Sequence, residues 1–523
     1  MMRLALLGLV ALGCVSRLTA ADRPNVVVIL ADDLGYGDVK ALNPDGKIAT
    51  PHLDKLAAAG LVFTDAHTPS AVCSPTRYGL LTGRYCWRTR LQSGVLGGLS
   101  PPLIEPDRLT LASLLRQKGY HTACVGKWHL GLGWHVKPGG QVTELGIETR
   151  EQVHSVDYTM PFAGGPLAQG FDRYFGIAGS LDMVPYTFLD GDRVAKLPTA
   201  EQDFPLMLGR EPGRTRLGPA TPGFDAADVL PELTKRAVAH IDGRAAAKDG
   251  KPFFLYLPLA SPHTPILPTK EWQGKSGLNP YADFVMQTDA AVGAVLAALD
   301  RHGFAENTLV IFTSDNGCSP QAKFPELRDK GHDPNAGMRG HKADVYEGGH
   351  RVPFLVRWPA KVRPGKSDRL VCLTDVFRTC AEVVGATVPD AAGEDSTSFA
   401  AAWTGRGPER ADVVHHSVNG SFAVRKGKWK LCLCPGSGGW SAPRPGKDDT
   451  TKLPPVQLFD LAADPAEKTN LHAKHPGMVA ELTKLLEKQI AGGRSTPGTP
   501  QKNAVAVDVR KAGREAMRLG NKK

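Results

Sequence analysis

The chain has 523 residues, 42% hydrophobic and 22% charged, a composition that excludes collagen-like and intrinsically disordered proteins and suits two domains, one large and one small. Its formal charge of +10 resembles that of a nucleic-acid binder only until the charge is located. Beyond residue 490, eight Lys or Arg face two acidic residues, a local +6; Arg3 and Arg17 add +2, leaving +2 for residues 22–490. Such a body attracts anions through a local pocket, and no nucleic-acid partner is expected. Residues 491–523 read as a solvated, flexible basic tail, with docking on polyanionic material as the second reading.

At the amino terminus, residues 1–21 combine Arg3, an apolar run over 4–15 and a small-residue exit at Thr19-Ala20-Ala21, the pattern of a secretory signal. The run is too short to span a bilayer, and no later stretch is long enough. The mature protein is expected to be exported, periplasmic or extracellular, without a transmembrane segment. Leu12-Gly13-Cys14 looks like a lipoprotein cleavage site except at Ala11, so a lipid anchor is the alternative. The nine cysteines do not form a disulfide framework: Cys14 leaves with the signal, and export permits bridges without requiring them.

Five segments share one pattern, a short apolar β-type run with a polar cluster at its end. Residues 25–31 lead into Asp32-Asp33, 121–125 into Lys127 and His129, 253–259 into His263, and 308–313 into Asp315-Asn316; the fifth, 352–358, is preceded by Lys342. Continuous apolar runs mark strands buried on both faces, as in a parallel sheet covered by helices. Helices are expected over residues 52–59, 109–117, 230–241 and 281–300. This alternation predicts a doubly wound α/β domain over residues 22–408, with ligands bound beyond the carboxyl ends of the strands. Stretches 134–169 and 182–223, rich in Gly and Pro, read as long loops over that edge. From 409 to 490, short strands at 421–424, 429–434 and 457–460, an exposed loop at 435–455 and an amphipathic helix over 476–490 predict a small α+β domain.

Asp32, Asp33, Asp315 and Asn316 offer three carboxylates and an amide carbonyl, hard oxygen ligands that select Ca²⁺ or Mg²⁺ over zinc. One such pair alone reads as a cap or turn; two pairs at the ends of buried strands favour a cation. Lys127 and His129 share a face if their strand continues, and flanking glycines let the backbone approach a ligand. Cys73, taken alone, is a small buried hydrophobe in a turn.

Cys73-Ser74-Pro75-Thr76-Arg77, followed by Leu81-Thr82-Gly83-Arg84, resembles the C-x-P-x-R plus L-T-G-R signature of type I sulfatases, arylsulfatase A-like members of the alkaline-phosphatase-like superfamily. With the other clusters, the resemblance covers residues 22–490. It implies a large, mostly parallel sheet domain with a smaller C-terminal α+β subdomain. It further implies that a formylglycine-generating or anaerobic maturation enzyme oxidises Cys73 to formylglycine, whose hydrated aldehyde attacks the sulfur of a sulfate ester. In that family the residues matching Asp32, Asp33, Asp315 and Asn316 bind one Ca²⁺, rather than Mg²⁺, which also contacts the group at position 73. Lys127 and Arg77 match residues that hold the hydrate, and His129 the base that removes its second proton. His263 and Lys342 match sulfate-binding and leaving-group positions.

The implied activity is that of a sulfuric ester hydrolase. A phosphate or phosphonate hydrolase of the same fold is the rival reading, although two-metal phosphatases carry Asp-His where this chain has Asp315-Asn316. A catalytically silent protein that binds sulfated glycans is another, and it would lack one of these groups. Long polar loops suit a sulfated carbohydrate substrate, with Trp134, Tyr186 and Trp272 as aromatics able to stack on sugar faces.

Overall fold

Alternate residues of the first strand face opposite cores, and the architecture is built on that. In the computed structural model, which describes residues 23–510, Val27, Ile29 and Ala31 belong to one apolar cluster and Val26, Val28 and Leu30 to another. A strand apolar on both faces needs helices on both sides. Strands Asn25–Ala31 (β1), Leu61–Phe63 (β2), His121–Lys127 (β3), Arg173–Ile177 (β4), Leu189–Asp190 (β5), Arg193–Val194 (β6), Phe253–Pro258 (β7), Thr308–Ser314 (β8), Phe354–Arg357 (β9) and Gly365–Ser367 (β10) form a ten-stranded sheet. Its order is β10-β2-β9-β8-β1-β7-β3-β4-β5-β6. β1 pairs in parallel with β7 and β8, and β7 and β4 pair in parallel with β3. The carboxyl ends of β1, β3, β7 and β8 therefore open on one edge.

Helices Pro51–Ala58 (α1), Cys73–Thr82 (α2), Leu111–Gln117 (α3), Val229–Ala247 (α4), Pro280–Arg301 (α5) and Asp375–Val383 (α6) cover the sheet. α1, α4 and α5 supply Leu53, Leu233 and Val292 to the first cluster; α2, α3 and α6 supply Leu80, Leu114 and Phe377 to the second. Local chemistry sets their ends. Asn279 caps α5 by accepting from the Ala282 amide, with Pro280 in the first turn where no amide hydrogen is needed. α5, expected as a helix over 281–300, is the one described helix long and apolar enough to cross a membrane, with a mean hydropathy of 1.3, where the sequence analysis finds no later stretch long enough; 78% of that window is buried inside the fold, the mark of a core helix.

The fifth expected strand differs in direction: β9 pairs antiparallel with β8 and with β2, so the sheet is mixed on that side. An apolar run reports burial on both faces and carries no sign of strand direction. The C-terminal part forms a four-stranded antiparallel sheet of Asp412–His416 (β11), Phe422–Lys426 (β12), Trp429–Cys432 (β13) and Gln457–Asp460 (β14), with helix Pro476–Ala491 (α7) packed on it through Leu482 and Leu486. Cys432 and Cys434, two residues apart and so on one side of the chain, join one cluster with Phe459, the strand itself stopping at Cys432. The eight described cysteines are all buried.

The expected signal at residues 1–21 and the end of the expected tail, residues 511–523, lie outside the described residues. The part of that tail nearest α7 is not free. Arg494 donates to Asp390 at 3.0 Å, Arg88 donates to Asn503 at 2.9 Å, and the Ala504 amide donates to the Arg88 carbonyl at 2.8 Å. Basic composition suggested solvation, but partners on the large domain, the exposed Asp390 and the buried Arg88, hold the segment.

A buried charge cluster joins the two sheets. Lys430 on β13 lies 3.0 Å from Glu347 and 2.8 Å from Glu467, all three essentially inaccessible. Burial alone would lower the Lys430 pKa, but the two carboxylates raise it and keep the ammonium charged. Lys430→Met removes the cation shared by two buried carboxylates, leaving Glu347 only Arg351 at 3.5 Å, at a cost of about 3–5 kcal/mol. Lys428→Met removes a surface pair with Asp460, which solvent screening leaves weak. Calorimetric melting should therefore show a large drop in midpoint for the first and a small one for the second; equal shifts would refute this reading of the cluster.

Candidate active site

α2 begins at Cys73, and all ten of its residues are buried. Pro75 falls in the first turn, where its missing amide costs nothing, and Gly83 ends the helix at φ +64°. A Cβ on Gly83 would lie 2.9 Å from the Gly393 Cα, so this turn requires glycine. Arg84, next in the motif, is 1% exposed, 3.4 Å from Glu394, and donates to the Lys502 carbonyl. The second half of the motif is thus structural: it stops the helix and ties it to the rest of the chain.

The first half faces the open sheet edge. Arg77 donates through Nε and Nη2 to Asp315 Oδ2 at 3.0 and 2.7 Å, and through Nη1 to the Lys127 carbonyl at 2.9 Å. The Cys73 Sγ lies 3.6 Å from Asp32 Oδ1, whose other oxygen accepts from Lys127 Nζ at 2.5 Å. Asp33, at φ +68°, accepts from Asn316 Nδ2 at 2.7 Å and from Lys342 Nζ at 2.7 Å, with His263 Nε2 3.7 Å away. Every residue expected at the site, Asp32, Asp33, Cys73, Arg77, Lys127, His129, His263, Asp315, Asn316 and Lys342, is buried, and all are brought together here. Lys342, anchored in the sequence only by its spacing to Glu347-Gly348-Gly349, reaches the cluster directly.

His129 arrives by a route the sequence did not suggest. β3 stops at Lys127, and His129 takes φ +54°, so the two do not share a strand face. Gly126, at φ +142°, is needed not for a ligand but because a Cβ there would lie 1.9 Å from the Pro258 carbonyl oxygen. His129 Nε2 lies 2.8 Å from the Leu96 carbonyl, and the Leu96 amide donates to Ser74 Oγ at 3.2 Å. A carbonyl only accepts, so Nε2 carries the proton and Nδ1, buried without a partner, keeps its lone pair. Burial, then the charges of Lys127 and Arg77, hold its pKa well below the usual histidine range. The Leu96 carbonyl and Ser74 Oγ are functional partners that sequence reasoning missed; a backbone oxygen leaves no signal, and Ser74 occupies a variable motif position.

Electrostatics decide what the cluster can hold. Three carboxylates face Arg77, Lys127 and Lys342, so protein charges balance. Burial tends to raise the Asp32 pKa, yet Lys127, His263, Arg77 and Lys342 bring it well below the ordinary range. Burial and the adjacent Asp32 push Asp315 up to about 6 despite Arg77. The Asn316 Oδ1 is buried with no partner. An unpaired amide oxygen beside crowded carboxylates fits a hard divalent cation. Ligand atoms of Asp32, Asp33, Cys73 and His263 lie within 4.8 Å of one another. Burial pushes the Cys73 thiol far above its ordinary range, outweighing Lys127 and Lys342, so the unmodified side chain is a poor nucleophile.

His67, His350 and His415 also cluster, but the His350 and His415 rings stack with centroids 3.7 Å apart and planes 10° from parallel. Imidazole lone pairs lie in the ring plane, so two stacked rings cannot both aim at one ion. Instead Lys430 donates to His350 Nε2 at 2.9 Å, His350 Nδ1 to His67 Nδ1 at 3.0 Å, and His67 Nε2 to Asp65 at 2.8 Å.

A mixed sheet that gathers a cation-competent carboxylate cluster, three fixed cations and a helix-borne cysteine at its carboxyl edge is that of an enzyme acting on a compact anionic group. The chain belongs to the sulfatase family, whose model matches residues 24–386, and it hydrolyses sulfate esters. It is 34% identical over 505 residues to an N-acetylgalactosamine-6-O-sulfatase of Bacteroides thetaiotaomicron, covering 89% of this chain and 93% of that one. It is 33% identical to Homo sapiens arylsulfatase A, covering 90% and 88%. A solved structure described under the metabolism of multiple glycosaminoglycans by Bacteroides thetaiotaomicron superposes with a TM-score of 0.75 at 32% identity, over 89% of this chain and 99% of that chain. A Pseudoalteromonas sulfatase structure, at 24% identity and a TM-score of 0.67 over 91% and 92%, shares the fold.

Asp32→Ala and Asp315→Ala should each abolish divalent-cation binding in calorimetric titration, because each removes a hard oxygen from the cluster. Zinc bound in preference to Ca²⁺ or Mg²⁺ would overturn the hard-oxygen reading.

Proposed function

We propose that the protein is an exported, formylglycine-dependent sulfatase that removes sulfate from sulfated carbohydrates of the glycosaminoglycan kind, with one Ca²⁺ held by Asp32, Asp33, Asp315 and Asn316. The observation that carries the reading is the placement of Cys73 at the head of a buried helix, 3.6 Å from Asp32 and within the charge field of Lys127 and Lys342. A thiol with so high a pKa has little chemistry of its own, whereas a hydrated aldehyde at position 73 supplies two hydroxyls on one carbon, one to attack sulfur and one whose deprotonation expels sulfate. The cation adds charge neutralisation on the sulfate oxygens. The maturation enzyme that converts Cys73 is the implied partner.

The chain's own residues divide the remaining work. Lys127, Lys342 and His263 stand where a sulfate oxygen would otherwise face carboxylates, so they bind and orient the anion. Arg77 spends three donors on Asp315 and the Lys127 carbonyl; its part is to fix those groups. His129, neutral and with Nδ1 free, is the base for the second hydroxyl. The likeness of the N-acetylgalactosamine-6-O-sulfatase over most of both chains supports a sulfated amino sugar as the substrate class.

The Asp315-Asn316 pair supports this reading over a two-metal phosphatase, since Asn316 offers one neutral oxygen. Trp134 and Tyr186, considered above as sugar platforms, are 8% and 1% exposed, with their polar atoms bonded to the Gly98 carbonyl and to Thr215; they serve as packing anchors. Trp272 is half-buried and carries Lys275 over its ring at 4.6 Å.

Protein from a host with the maturation enzyme should give a Cys73 peptide mass matching the aldehyde or its hydrate; an intact thiol in active enzyme overturns the proposal. Cys73→Ala should lose sulfate release while keeping its melting temperature, and Cys73→Ser should be nearly as inactive because serine brings a single hydroxyl. His129→Ala should lower kcat by about 10²–10⁴-fold. On a panel of sulfated mono- and oligosaccharides against a small aryl sulfate, sugars should give the higher kcat/KM, since remote contacts drive the chemistry; an aryl preference throughout would refute the carbohydrate assignment.

A further inference from the structure

Exposure falls unevenly around the cluster and locates its mouth. Asp32, Arg77, Lys127, His129, Asp315 and Asn316 are 0% exposed, whereas His263 and Lys342 reach 7% and 4%. Solvent therefore meets the site on the side of His263 and Lys342. A sulfate drawn to Lys342 leaves the rest of its ester at that opening.

One large aromatic stands there. The Trp440 ring centroid lies 5.9 Å from Lys342 Nζ, and the residue is 41% exposed. It comes from the loop after β13, so the C-terminal part of the chain contributes it. Its backbone is pinned: Asp344 Oδ1 accepts from the Trp440 and Ser441 amides at 2.7 and 3.1 Å, while Asp344 Oδ2 accepts from the His341 amide at 2.9 Å. One carboxylate thus fixes the loop that carries Lys342 against the loop that carries Trp440. The Val345 amide also donates to the Ser437 carbonyl at 2.9 Å. A rigid backbone presenting an exposed indole leaves apolar surface in water without a packing return, which is the form of a preorganised binding surface.

We propose that Trp440 is the platform on which the sugar ring bearing the scissile sulfate stacks. The inference rests on the carbohydrate reading above. A pyranose turns a face of polarised C–H groups outward, complementary to the negative face of an indole. With the sulfate fixed by Lys342 and His263, a ring on Trp440 is held at two points, which orients the ester bond. This role was not legible in the sequence, where Trp440 sat in a Pro/Gly-rich stretch read only as a loop.

The test uses the mature enzyme with Trp440→Ala and Trp440→Phe, measuring kcat and KM on the sulfated saccharides the wild type turns over, and inhibition by inorganic sulfate. Trp440→Ala should lower kcat/KM on sugars by about tenfold or more, mainly through KM. Trp440→Phe should recover most of the loss, and inhibition by sulfate should stay within twofold of wild type. Weaker inhibition by sulfate in parallel with the loss on sugars would make Trp440 a prop for Lys342 and overturn the proposal, as would an unchanged kcat/KM in Trp440→Ala. A wild type that releases sulfate from no sugar refutes the carbohydrate reading itself, and the platform with it; turnover of sugars with Trp440→Ala unaffected refutes the platform alone.

Discussion

The Arg77–Asp315 pair is the contact on which the rest of the site depends. Arg77 lies on the motif helix and Asp315 just past the end of β8, and the same guanidinium reaches the carbonyl of Lys127 at the end of β3. A planar fork with fixed donors locks three elements into one register more tightly than a lysine would. Burying such charges is costly, and removing either partner strands the other in a medium that cannot solvate it. The helix therefore cannot shift without breaking the pair, and Cys73, one turn earlier on the same helix, inherits its position from it.

Charge neutrality follows from the same arrangement. Three carboxylates against three cations leave the cluster balanced, so in the proposed function a divalent cation and a sulfate ester would each offset part of the other's charge. The raised Asp315 and the partnerless Asn316 oxygen are where that balance is least complete. His129 stays neutral for the opposite reason, since burial beside Lys127 and Arg77 penalises a further positive charge.

The C-terminal sheet does more than cover the large domain. Lys430 binds Glu347 and Glu467, and Arg425 holds Asp65 at 2.7 Å, so charges on β12 and β13 are paired across the boundary. His350 and His67 beneath them pass a chain of hydrogen bonds from Lys430 to Asp65. This fixed seam is what allows a loop after β13 to stand beside Lys342 at the mouth of the site.

The strands leading to Asp32, Lys127, His263 and Asp315 were legible because a run buried on both faces is written in composition, and polar clusters at its end stand out. The reversed direction of β9 was not, since pairing direction depends on the partner strand. Residues 492–510 misled for a related reason: a basic stretch looks solvated until Arg494 is found on Asp390 and Asn503 on the buried Arg88. Trp134 and Tyr186 are indistinguishable from binding aromatics in sequence, and only packing makes them anchors. By itself the sequence determined the chemistry, because side-chain identity sets which groups bind a hard cation, carry charge or accept modification. Only the tertiary structure decided which of those groups meet and what each is free to do, because hydrogen bonds such as that from His129 to the Leu96 carbonyl, the spending of Arg77 on Asp315 and the exposure of Trp440 depend on neighbours far apart in the chain.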